Sequence, residues 1–168
     1  MDALLRMVGS VTALGAALIA LAVGAAPVVS LGMPWLAVPL LAAGLAQGAA
    51  AVLGLRGRRF PPLAVLAAFG LPTAVWIGTL WLMPTATAGL PFGPMLAETG
   101  LALVAATLLG RRARRAQEPG PLASLLSLTA SAAVVAAVAT TALAGTQAGE
   151  FAVPHGEHGI ALDEHGHH

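Results

Sequence analysis

The side chains that could bind a metal ion are concentrated at the carboxyl end of the chain. Residues 151–168 contain all five histidines and three of the seven acidic residues. Imidazole and carboxylate groups are common ligands of divalent transition metals. The sequence therefore predicts a site for Cu, Zn, Ni or Co, without an organic cofactor. Its candidate ligands are His155, Glu157, His158, Asp163, Glu164, His165, His167 and His168.

The spacing of these ligands does not select the ion. His155 and His158 would share one side of a helical turn, but Pro154, Gly156 and Gly159 disfavour a stable helix. A bound ion would therefore have to order the segment as it binds. Two other interpretations stay open: a solvated, low-complexity terminus, or the remnant of a purification tag, although tags are seldom interspersed with Glu, Asp and Gly.

A second set of candidate ligands lies outside this tail. Met33, Met83 and Met95 are expected near one face of the membrane, and thioethers suit Cu(I), although Met also fills gaps in packed interiors. Glu98 is the only acidic residue within an apolar segment. A carboxyl group at such a position suggests ion or proton handling, and the alternative is an interfacial or helix-capping role. These four residues form a candidate ion path.

The composition indicates that these groups belong to a membrane protein. Hydrophobic residues make up 58% of the chain and charged residues 9%, against about 45–50% and about 25% in soluble domains. A bilayer core of about 30 Å needs roughly 20 apolar residues per helix. The sequence thus predicts an all-α integral membrane protein with five transmembrane helices, at 4–26, 35–55, 62–83, 94–110 and 122–145. They form a domain over 1–150, followed by the tail at 151–168.

The basic residues predict how the helices are oriented. All eight are Arg: Arg6 near the start of the first span, Arg56, Arg58 and Arg59 after the second, and Arg111, Arg112, Arg114 and Arg115 after the fourth. Cytoplasmic loops are enriched in such residues. We therefore expect a multi-pass protein of the plasma membrane, with the N-terminus inside and the C-terminal tail extracytoplasmic. The absence of Lys, Asn and Tyr suggests a GC-rich, bacterial coding sequence.

An internal repeat suggests a duplicated two-helix hairpin. Residues 44–54 match 100–110 at seven of eleven positions, and the Arg clusters that follow align at the same offset of 56. The loops before them share a Pro-x4-Gly-x-Pro-aromatic pattern, beginning at Pro27 and Pro84. We therefore predict repeat units over about 1–59 and 60–115, with an unpaired fifth helix over 116–150.

Other residues bear on how the helices pack. Gly44 and Gly48 form a GxxxG motif, which lets helices approach closely in lipid. Pro39 and Pro72 each lack an N–H and displace the carbonyl group four residues earlier, so we expect distortion there. Gln47 is expected to form a hydrogen bond to another helix.

These patterns favour a binding protein over an enzyme. The sequence contains no nucleophile–base pair or phosphate-binding glycine loop, and no cysteine for a thiolate site. We expect no catalytic activity and no nucleic-acid binding. The leading hypothesis is metal handling at the outer membrane face, as a transport component or delivery accessory. The alternative is a non-catalytic accessory subunit of a membrane complex, whose partners would be lipid and another membrane protein or a second copy; a lipid or solute transporter has less support.

Overall fold

The bundle contains five helices that are long and apolar enough to cross a membrane. The computed structural model describes residues 2–25, 32–58, 60–85, 89–110 and 120–145, and within these ranges it contains no strand. The helices are α1 (Asp2–Ala25), α2 (Pro34–Leu55), α3 (Pro62–Leu82), α4 (Phe92–Leu109) and α5 (Pro121–Ala144). The prediction of five such helices is confirmed, and the observed ends differ from the predicted ones by two residues or fewer.

Proline and glycine residues define several helix ends. Three helices begin with proline in the first turn, where its missing N–H costs nothing; these residues are Pro34, Pro62 and Pro121. At the end of α2, Gly57 adopts a φ of +78°. The Gly57 N–H donates to Gly54 O and the Arg58 N–H donates to Leu53 O, both at 3.0 Å. This pair of bonds is a Schellman motif, and it stops α2 at the beginning of the first Arg cluster.

Helix α1 lies at the centre of the bundle. It packs against α2, α4 and α5, whereas α3 packs on the far side of α2 and α4. In the most apolar stretch of α1, 61% of the residues are buried, against 6% in α5. Gly24 lies against Leu41, and Gly54 against Ser10, so α1 and α2 run antiparallel. The peripheral helix α5 therefore offers most of its surface to the membrane.

Small residues on α1 allow its neighbours to approach closely. Ala13, Ala16 and Ala20 are buried almost completely. A Cβ atom placed on Gly44 of α2 would lie 3.0 Å from the Ala17 carbonyl oxygen and would also collide with a neighbouring leucine. A Cβ atom on Gly48 would meet only the Ala17 Cβ, at an ordinary 3.8 Å. Of the two glycines in the GxxxG motif, only Gly44 is required by this contact.

Two clusters of apolar side chains fill the interior on either side of a polar layer. The first includes Ile19, Val23, Met33, Leu36, Ala37, Leu40, Trp76, Leu90, Met95, Ala139 and Ala142. The second includes Ala13, Ala16, Ala50, Ala51, Val65, Phe69, Ala102, Ala105 and Leu109. On α2 and α4 the residues between these clusters include Gln47 and Glu98, which are buried. The polar groups are therefore held in the middle of the bundle.

We predict that Gly44→Ala destabilises the bundle and that Gly48→Ala does not. Overpacking a tight interface costs about 1–3 kcal/mol, whereas replacing a helical glycine by alanine gains about 1 kcal/mol. The cost of overpacking should prevail at Gly44, whereas at Gly48 only the gain in helix propensity applies. Thermal unfolding of the two variants in the same detergent checks this. Equal shifts in the unfolding temperature would show that α1 and α2 are not in such close contact.

Candidate functional site

The Gln47 side chain connects three helices. Its amide nitrogen donates to Glu98 Oε1 of α4 at 2.8 Å and to the Ala68 carbonyl oxygen of α3 at 3.1 Å. Gln47 is completely buried, and Glu98 is 2% exposed. The prediction that Gln47 bonds across helices is confirmed. We call Gln47, Glu98 and the Ala68 carbonyl the polar junction.

The Ala68 carbonyl is available because of the local sequence of α3. In a regular helix it would accept a hydrogen bond from the residue four positions later, but that residue is Pro72, which has no N–H. The chain forms a π-helical turn over Leu66–Gly70, immediately before this proline. The distortion predicted at Pro72 therefore lies in the segment that meets Gln47. The Ala68 carbonyl, whose donor four positions later is excluded by Pro72, accepts a hydrogen bond from Gln47 of α2.

A second group of polar side chains joins α3 to α4. The Trp76 indole N–H donates to Thr99 Oγ1 at 3.1 Å, and the hydroxyl groups of Thr73 and Thr99 lie 3.3 Å apart. Thr99 directly follows Glu98, so both groups lie at nearly the same height in the bundle. Hydrogen bonds between helices are among the few directional forces available where lipid removes the hydrophobic drive for association. These contacts fix the height of α3 relative to α4.

The position of Glu98 in the structure contradicts a helix-capping role. Helix α4 begins at Phe92, so Glu98 is in its second turn, and no side chain caps its N-terminal end. The carboxyl group accepts a hydrogen bond from Gln47 and does not cap the backbone of its own helix. It borders a space that is too narrow for a water molecule, lined by Ala20, Val23, Leu40, Trp76 and Met95. Glu98 thus lies inside the bundle and not at its interface with water.

Two of the three methionines of the candidate ion path lie in the same apolar cluster, and the third does not. Met33 and Met95 are buried in the first apolar cluster, in the company of aliphatic side chains and Trp76. Met83 follows the end of α3 and is 46% exposed. Only Met95 borders the same space as Glu98. For Met33 and Met95 the described contacts are those of packed core residues, and the ion path stays a prediction from the sequence.

The candidate metal ligands of the tail lie outside the described residues. This applies to His155, Glu157, His158, Asp163, Glu164, His165, His167 and His168, and also to the second Arg cluster at 111–115. In the ranges that the structure describes, no group of three His, Cys, Asp or Glu side chains could hold a metal ion. Those ranges contain no histidine, so the predicted metal site depends entirely on the tail.

Comparison with known proteins does not assign this chain to a family. No family model, curated protein or solved structure matches it. The features that bear on its function are the polar junction inside the helical bundle and the terminal segment rich in metal-binding side chains.

Proposed function

We propose that this protein handles divalent or copper ions at the outer face of the membrane. The observation that carries the proposal is the segregation of the ligands: every histidine lies in residues 151–168, immediately after five apolar helices. Such a distribution keeps every imidazole group, and the three acidic residues of the tail, outside the apolar helices, where they would be costly. It also tethers them at a membrane surface, which raises their local concentration near any partner in the same membrane.

The ends of the helices support an outward tail. Gly57, which follows α2, lies beside the Arg6 guanidinium near the start of α1, so the basic residues of both segments gather at one end of the bundle. Gly145, from which the chain continues into the tail, lies beside Pro94 at the start of α4. That is the opposite end. If the Arg-rich end faces the cytoplasm, the tail emerges on the outer side.

The interior favours delivery over conduction. The space beside Glu98 admits no water, and Met33 and Met95 pack among apolar side chains. An ion crossing this interior would have to shed its hydration shell without replacement ligands, at a large energetic cost. In this proposal the tail captures the ion and presents it to a partner protein, while the bundle serves as a membrane anchor.

We also propose that the anchor arose by duplication of a two-helix hairpin. With the offsets of the repeat, Leu53 near the end of α2 corresponds to Leu109 at the end of α4, and Trp35 corresponds to Phe92 at the start of α4. The second helices of the two units, α2 and α4, thus begin and end within two residues of each other. This agreement of boundaries supports the repeat units predicted from the sequence, with α5 as the unpaired addition.

The second candidate function is that of an accessory subunit in a larger membrane complex. The exposed surface of helix α5 favours this candidate, because it contains many Ala and Thr residues as well as Leu. Small residues are typical of helix–helix contacts in membranes. An open groove between α4 and α5, lined by Gly93, Pro94, Ala97 and Ala137 among others, continues this surface. A monomer in mild detergent and an unchanged profile of membrane complexes after deletion would contradict this candidate.

Metal binding is expected to depend on the tail. We predict that the full-length, tag-free protein binds one of Cu(II), Zn(II), Ni(II) or Co(II) stoichiometrically, and that a variant ending at residue 153 does not. Binding should weaken below about pH 6, because protonated imidazole cannot ligate a metal. Isothermal titration in detergent, with elemental analysis of the protein as isolated, measures both quantities.

Two variants separate the tail from the bundle in this experiment. The fivefold replacement of His155, His158, His165, His167 and His168 by Ala keeps the length and the acidic residues, and it should abolish binding. Met95→Leu changes the bundle alone and should leave binding intact. Equal affinity of the native and truncated proteins would rule out metal handling by the tail and favour the accessory-subunit candidate.

The orientation can be tested with single cysteines, because the native chain has none. We predict that Thr85→Cys and Ala161→Cys react with a membrane-impermeant maleimide on intact cells, whereas Gln117→Cys reacts only after permeabilisation. Thr85 follows α3 and is exposed, so it reports the end of the bundle opposite the Arg clusters. The opposite labelling pattern would place the tail in the cytoplasm and contradict capture from outside.

A further inference from the structure

The polar junction contains one buried atom without a partner. Both hydrogen bonds of Gln47 are donated by its amide nitrogen, and its Oε1 atom, although fully buried, accepts none from the residues that the structure describes. A flipped amide would turn its oxygen toward the Ala68 carbonyl oxygen, which has no hydrogen to donate, so the observed orientation is the one that keeps this bond. A buried acceptor of this kind is normally satisfied, so a donor is required beside Gln47.

None of the described residues places a positive charge beside Glu98 to balance an ionised carboxylate. The neighbouring side chains are Ala20 and Val23 from α1, Leu40 and Gln47 from α2, Trp76 from α3, and Met95 and Thr99 from α4. None of these is charged. Helices α2, α3 and α5 contain no titratable residue, and Arg6 of α1 lies near the end of the bundle. An isolated charge in such surroundings is far more costly than a neutral polar group.

We propose that Glu98 is a neutral carboxylic acid that forms a cyclic pair with Gln47. In this pair the Gln47 N–H donates to the Glu98 carbonyl oxygen, and the Glu98 O–H donates to Gln47 Oε1. The second amide hydrogen remains on the Ala68 carbonyl. Every polar atom of the Gln47 side chain then has a partner, and the two groups meet through antiparallel hydrogen bonds.

The pair is therefore a proton-binding site, and the bound proton is a structural component of the bundle. It supplies the donor that Gln47 lacks, and it removes the charge that the apolar clusters above and below cannot solvate. Loss of this proton would break one hydrogen bond and leave a carboxylate facing an unpaired carbonyl oxygen. The contact between α2 and α4 therefore requires the proton as well as the side chains of Gln47 and Glu98.

Infrared spectroscopy of the purified protein at neutral pH tests this proposal directly. A protonated carboxyl group has a C=O stretching band that a carboxylate lacks. We expect this band in the native protein, a shift of it when glutamate is labelled with ¹³C, and its loss in Glu98→Gln. The other acidic residues should appear only as carboxylates. Absence of the band from the native protein would overturn the proposal without reliance on any variant.

A second variant tests the pairing itself. In Gln47→Leu the carboxyl band should remain but move to higher frequency, because the Glu98 carbonyl no longer accepts a hydrogen bond. An unchanged band would show that Glu98 is neutral but not paired with Gln47, which would also overturn the proposal. Glu98→Gln can reproduce both bonds with its own amide, so it should unfold near the native temperature, whereas Glu98→Ala should unfold several degrees lower.

Discussion

The structure depends on the need to satisfy polar groups where no water is available. In the middle of the bundle one glutamine donates to a carboxyl group of α4 and to a backbone carbonyl of α3. The Glu98 carboxyl group is buried, and leaving a buried polar group without a hydrogen-bond partner costs about 1–3 kcal/mol. Because the bonds run to two different helices, this one side chain fixes the relative heights of α2, α3 and α4.

The rest of the bundle packs by shape around this fixed point. Alanine and glycine residues let α1 approach its neighbours closely, and dispersion forces then hold helices that lipid would solvate equally well. Such contacts depend on complementarity and not on direction. The two apolar clusters lie on opposite sides of the polar junction. The hydrogen bonds of the junction therefore specify the register of the helices, and close packing of the clusters stabilises it.

The sequence predicted the helices better than their contacts. The boundaries of a membrane span follow from the thickness of the bilayer and from the length of an apolar run. Such a run can be read from a single sequence. The partners of Gln47 could be anticipated only as another helix, because one of them is a backbone carbonyl that carries no sequence signal of its own. The signal was indirect: Pro72, four residues after Ala68, removes the donor of that carbonyl. Met33 and Met83 look equivalent in sequence, yet one is buried and the other half exposed, since the difference depends on which helix covers them.

The polar junction also limits what the repeat can explain. Under the repeat alignment Gln47 corresponds to Leu103, and Glu98 corresponds to Ala42, so neither polar group has a counterpart in the other unit. A duplicated hairpin would begin with two identical halves, and two identical halves have no reason to prefer one register. Adding a donor to one half and a carboxyl group to the other creates a single bond that only one arrangement satisfies. The asymmetry is thus a means of specifying the fold of the bundle.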